Sequence, residues 1–129
     1  MLGAGVAQAE GPPLQGRFGD AIRVLDDPAP APETAVTTPE GETIRLTRFQ
    51  GRVAVVNFWA TWCAPCVEEM PTLDALQREL GGQGVQVLAV SQDAGGMRAV
   101  EPFLANRVDV PALNIAVDPA GKLARELDV

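Results

Sequence analysis

Val53-Ala54-Val55-Val56-Asn57-Phe58-Trp59-Ala60-Thr61-Trp62-Cys63-Ala64-Pro65-Cys66-Val67-Glu68-Glu69-Met70-Pro71-Thr72-Leu73-Asp74-Ala75-Leu76-Gln77-Arg78-Glu79-Leu80 is the stretch on which the reading of this chain turns. Its opening, residues 53–60, is short, β-branched and aromatic, the pattern of a strand buried on both faces. Its end places apolar residues at 67, 70, 73, 76 and 80, the spacing of one helical face. The two cysteines of the chain stand at the junction, separated by two residues. A helix start leaves backbone N–H groups unpaired and carries partial positive charge. A thiolate there is stabilised, which draws its pKa below the free value of ~8.5, and the thiolate is the attacking species in disulfide exchange. Cys63, outermost, is therefore the expected nucleophile, and Cys66, one turn inward, the expected resolving thiol. Pro65 suits a first helical turn, where no N–H is needed. With Ala64 it is expected to tune the redox potential.

These residues carry a resemblance. Asn57-Phe58-Trp59-Ala60-Thr61-Trp62-Cys63-Ala64-Pro65-Cys66, followed by Glu69-Met70-Pro71 and Leu73, resembles the TlpA/ResA/CcmG branch of the thioredoxin superfamily. The resemblance covers roughly residues 30–129 and implies an α/β thioredoxin-like fold, with central parallel strands flanked by helices and a β-hairpin ahead of them. It implies an extracytoplasmic bacterial protein that exchanges electrons with protein disulfides and dithiols, in many members during cytochrome c maturation. A membrane thiol reductant is the implied electron source. Two departures stand out. Val67 occupies a position that is often basic in that branch, and Asn57 stands where thioredoxin has a buried Asp. Glu69 then becomes the implied carboxylate for the proton of Cys66. Trp62, beside Cys63, is expected to shield the site and to face the client, whereas Trp59 belongs to the core.

Composition narrows the alternatives. The chain has 129 residues, enough for one domain, with a net charge of −7 and no histidine. Nucleic acid and anionic membrane surfaces are poor partners for such a charge. Without histidine the Cys-His nucleophile pair and the Cys/His metal sets are excluded, and two cysteines alone cannot complete a structural zinc site. No metal and no cofactor is expected. A peroxidase of the peroxiredoxin type would need Thr at position 60, which is Ala60. Two readings remain beside exchange chemistry. One is a non-enzymatic module or inactive fragment; the other treats the cysteines as apolar filler.

Outward from the centre, residues 1–10 read as the remnant of a secretory signal, with Ala7-Gln8-Ala9 as its small-x-small end. An anchor lost with such a signal is compatible with this reading. Residues 11–32 read as a Pro/Gly-rich linker in which Phe18, Ile22, Val24 and Leu25 are the apolar anchors. Residues 33–129 read as the thioredoxin-like domain. Thr34–Thr38 and Thr43–Leu46 around Gly41 predict a hairpin. Gly81-Gly82 predicts a helix stop, and Pro71 a kink. Residues 85–90 predict a second strand, parallel to the first. Residues 97–108 predict a helix broken or begun near Pro102. A strand over 113–117, a turn over 118–121 and a helix over 122–127 complete the reading. In the resembling family a segment like 122–129 precedes the cis-proline loop, two strands and a closing helix. The expectation is therefore a domain lacking that C-terminal part; a second alignment would make Pro111 the cis-proline. Asn57 is expected to be a hydrogen-bonded buried polar group.

Overall fold

The computed structural model describes residues 23–129. Residues 31–129 form one compact unit. The predicted signal remnant, and Phe18 and Ile22 of the linker, lie outside the described residues. Residues 23–30 contain no regular element, and Val24 and Leu25, expected as anchors, are exposed.

Five strands form one sheet among the described residues. The hairpin pairs β1 (Val36–Thr37) with β2 (Thr43–Ile44) antiparallel. Its turn closes with Thr38 N–H donating to the Glu42 carbonyl (2.8 Å) and Gly41 N–H to the Thr38 carbonyl (2.9 Å). Gly41 sits there at φ +81°, a left-handed conformation that costs a residue without Cβ nothing. A 3-10 turn over Leu46–Phe49 leads to β3 (Val53–Trp59). Helix α1 (Ala64–Leu80) returns the chain to β4 (Val85–Ser91), which runs parallel to β3 along its whole length. Helix α2 (Met97–Asn106) then leads to β5 (Asn114–Val117), parallel to β4, and α3 (Lys122–Glu126) follows. The order across the sheet is β2-β1-β5-β4-β3.

Strand alternation feeds two cores. Val87 and Ala89 of β4, with Ile115 and Val117 of β5, face α1 and α2, where they meet Met70 and Val100. Leu88, Val90 and Ala116 face the other way, onto Leu123 of α3, Phe49 and the hairpin residues Val36 and Ile44. These are central-strand residues, apolar on both faces because both faces are covered.

The strand β3 departs from the expectation of burial on both faces. Val53 and Ala54 are exposed, residues 55–58 are half-buried and Trp59 alone is buried. The cause is its place at the sheet edge. Val53 N–H donates to Gly84 and the Trp59 carbonyl accepts from Gln92, so residues 53, 55, 57 and 59 turn their backbone toward β4. In a parallel pair the intervening residues Ala54, Val56 and Phe58 then turn theirs away from it. Asn57 is half-buried, and its Nδ2 has no hydrogen-bond partner among the described residues, contrary to expectation.

Helix α2 runs unbroken through Pro102, where a break or a start is expected from the sequence, and α1 continues through Pro71. Pro71 is exposed, while the adjacent Met70 is fully buried. Packing of that kind can offset the ~3 kcal/mol an interior proline costs. The expected stop at Gly81-Gly82 is a 3-10 turn over Gly81–Gln83, and the left-handed residue is Gly84, at φ +85°. No described peptide bond is cis. Pro111 precedes β5, whose first residue pairs with Leu88, whereas Cys63 follows the opposite end of the sheet. Pro111 is thus not a loop proline facing Cys63.

Candidate active site at the start of helix α1

The carboxyl ends of β3, β4 and β5 lie level: Trp59 pairs with Ser91, and Ser91 with Val117. Beyond them rise the loops that build the site. Ala60 is buried, and the chain turns over it, with Cys63 N–H donating to the Ala60 carbonyl (3.0 Å). Cys63 is the N-cap residue of α1, with extended backbone (φ −96°, ψ 93°), and Val67 N–H donates to its carbonyl (3.1 Å). Ala64 and Pro65 open the helix and Cys66 lies in its first turn. The two cysteines form a disulfide with their Cα atoms 5.3 Å apart. Cys63 thus lies where helix N–H groups converge and Cys66 just inside, as the sequence predicts; both are half-buried. Pro65 brings no N–H, which leaves Ala64 and Cys66 as the amide donors of this first turn.

The other predicted site residues divide. Trp62 is 75% exposed beside Cys63, a large ring left in water. Trp59 is 2% exposed and packs against Phe103 of α2, ring centres 6.1 Å apart. Glu69 is exposed on α1, one turn after Cys66.

Sequence reasoning missed the group that holds the approach to Cys63 in place. Asp93, in the loop after β4, is buried. Its carboxylate accepts the Thr61 N–H (3.0 Å), the Thr61 hydroxyl (2.6 Å) and the Ser91 hydroxyl (2.6 Å). Ser91 Oγ in turn accepts the Asp93 N–H (3.0 Å). Burial by itself would raise the Asp93 pKa, but the hydrogen bonds from Ser91 and Thr61 outweigh it and hold it below its ordinary 3.8. The carboxylate is therefore ionised and fully occupied, tying the turn before Cys63 to the end of the central strand. The signal that could have found it is Ser91-Gln92-Asp93, a short polar group directly after the apolar run Val87-Leu88-Ala89-Val90. Asp118 acts similarly at the end of β5, accepting the Leu123 N–H (2.7 Å) at the start of α3.

Asp74 was also missed. It is buried in the middle of α1, and its Oδ1 accepts the N–H groups of Ala112 (2.7 Å) and Leu113 (2.9 Å). Arg78 approaches its other oxygen at 3.3 Å. One carboxylate thereby fixes the turn before β5 to the helix that carries Cys66. No group of three potential metal-ligating acids or cysteines occurs among the described residues, and no described helix is long and apolar enough to cross a membrane.

A sequence profile of the AhpC/TSA family matches residues 28–129. The chain belongs to the AhpC/TSA family. This AhpC/TSA chain is 34% identical over 99 residues to the thiol-disulfide oxidoreductase ResA of Bacillus thuringiensis subsp. konkukian, covering 77% of the chain and 56% of that protein. It is 43% identical over 61 residues to ResA of Geobacillus thermodenitrificans, covering 47% and 35% respectively. The chain thus spans about half the length of the curated relatives it matches. Among solved structures it is similar to a Chlorobium tepidum protein named for the DsbE thiol:disulfide interchange proteins, with a TM-score of 0.70 and 34% identity over 82% of this chain and 72% of that one. The exposed lipoprotein thioredoxin Etrx1 of Streptococcus pneumoniae gives a TM-score of 0.65 at 28% identity, covering 74% and 73%. The mixed sheet with its helices is the thioredoxin-like fold of these neighbours, as expected.

Proposed function

We propose that this AhpC/TSA-family chain is a thiol–disulfide oxidoreductase that reduces protein disulfides outside the bacterial cytoplasm. The observation that supports it is the placing of Cys63 as the cap of α1 and of Cys66 in the first turn, already joined. With the pair reduced, the helix start favours the Cys63 thiolate. That thiolate attacks a client sulfur; the client S–S bond breaks, one client cysteine leaves as thiolate and the other is held as a mixed disulfide. Cys66 then attacks Cys63, which releases the second client thiol and reforms the Cys63–Cys66 bond. Two electrons pass to the client. Glu69, one turn beyond Cys66 and exposed to water, relays the Cys66 proton, while Ala64 and Pro65 tune the potential. A membrane dithiol reductant returns the two electrons. Clients in cytochrome c maturation and an extracytoplasmic location fit the branch the sequence resembles and the ResA-like relatives it matches.

The test is the reduction potential of the pair, measured by equilibration with glutathione. A value of about −120 to −270 mV is expected for exchange, whereas one below about −300 mV marks a static crosslink and refutes the proposal. In companion experiments Cys63→Ser abolishes reduction of a disulfide substrate, and Cys66→Ser traps the client on Cys63. Peroxide consumption without client reduction would assign the pair to a peroxidase instead.

A further inference from the structure

A shallow recess of about 370 Å³ opens beside Cys63. Its near wall is Thr61, Trp62 and Ala64, the residues that flank the sulfur on both sides. Its floor is apolar: Val67 of α1, one turn beyond Cys63, and Phe103 of α2. Phe103 packs on the buried Trp59 and so joins the floor to the core. Its rim carries Glu68 and Arg107, opposite charges that enter no ion pair among the described residues. The exposed Trp62 ring, the half-buried Val67 and the half-buried Phe103 thus offer one apolar hollow, lined by both chain neighbours of Cys63 and carrying one charge of each sign.

We infer that this recess selects clients by an apolar side chain placed two residues from the cysteine that Cys63 attacks; the inference rests on the exchange reading above. The spacing follows from geometry. Side chains four apart on a helix stand about 5–6 Å from each other, and Val67 lies four residues after Cys63, its N–H donating to the Cys63 carbonyl (3.1 Å). In an extended client, residues two apart share a face and are about 6.6 Å apart. A client sulfur bonded to Cys63 therefore brings its i±2 neighbour over Val67 and Phe103. A leucine or phenylalanine there leaves water on one side; an acidic or basic one gains nothing, because the rim charges cancel. The preference is thus insensitive to salt, unlike selection by the net charge of the chain.

The test uses the full chain, reduced beforehand so that one turnover needs no further reductant. It is mixed with extended peptides whose single cysteine carries a mixed disulfide, with Leu or Ser two residues before or after that cysteine. Hydroxyethyl disulfide, which has no side chain to seat, is the reference. Half-burial of a leucine side chain predicts about a tenfold faster second-order rate for one Leu peptide than for its Ser partner, unchanged between low and high salt. In Val67→Gln, the ratio between the same two peptides falls to within twofold. A wild-type ratio within twofold, with hydroxyethyl disulfide still reduced, overturns the recess and leaves the exchange function standing. Failure to reduce any of these disulfides overturns the exchange function itself. The wild-type ratio needs no variant to fold, so it decides even if Val67→Gln does not.

Discussion

Removing the Asp93 carboxylate tests the tie between the central strand and the turn that delivers Cys63. In Asp93→Ala, Ser91, which is fully buried, loses the acceptor of its hydroxyl proton, and the Thr61 N–H loses its acceptor as well. The Thr61 hydroxyl, on a half-buried residue, can turn to water. Two stranded donors at about 1–3 kcal/mol each, less the relief of no longer burying a charge, give a loss of about 3 kcal/mol. Thr61→Val removes only the hydroxyl bond and should cost about 1 kcal/mol, and the double variant should show coupling of similar size, since the two groups touch. The assay is urea unfolding of the disulfide form at constant m-value. The carboxyl is held below 3.8 in the fold, so the unfolded chain binds its proton first as pH falls. The stabilisation is therefore complete well above pH 3.8 and is lost as pH drops through the lower, folded value. The gap between wild type and Asp93→Ala should be full at pH 7 and should shrink toward pH 2. A gap under about 1 kcal/mol at pH 7, or one that does not narrow in acid, would refute the assignment of Asp93 as an ionised tie.

Asp74→Ala strands the Ala112 N–H and leaves Leu113 only its longer bond to Val110 (3.3 Å), so chemical denaturation should show a loss of about 2–3 kcal/mol. Arg78→Ala, which removes a mostly exposed partner, should cost at most about 0.5 kcal/mol in the same assay. Gly96 sits at φ 58°, ψ −140°, a region almost closed to other residues, and a Cβ there would lie 3.2 Å from Pro119 Cγ. Gly96→Ala should lower stability by about 1–3 kcal/mol, read as a drop in Tm. Leu123 is fully buried and is the main contribution of α3 to its core, so Leu123→Ala should cost about 2–5 kcal/mol, measured by denaturant midpoint.

What was readable in the chain was what is local. The apolar run, the cysteine pair and the helical face of residues 67–80 each carry their own periodicity, and β3, the capping cysteine and α1 follow them within a few residues. Burial was not readable where it depends on neighbours. Val53 and Val87 look alike in sequence, but one belongs to the edge strand and the other to its flanked partner. Asn57 shows the same limit, because its partners depend on which strand lies beside it. Pro102 misled because propensity is a per-residue cost, while the packing of the buried Val100 is a sum over many contacts. Asp74 and Asp93 escaped because a solitary acid reads as solvated surface. Each instead binds donors from a segment about 30 to 40 residues away, Thr61 for Asp93 and Ala112 and Leu113 for Asp74.

Because Trp59, Ser91 and Val117 end level, the reactive pair, the Asp93 tie and the Asp118 cap all spring from one shelf, while the two cores lie beneath it. Shelf and scaffold thereby meet at few points, among them Asp93, Cys66 and Phe103. Ala64 and Pro65, between the sulfurs, are exposed and belong to neither core, so a different dipeptide can be grafted there and the frame below has no reason to rearrange. Under the proposed exchange, such a molecule can drift in how readily it gives up its electrons while remaining the same solid.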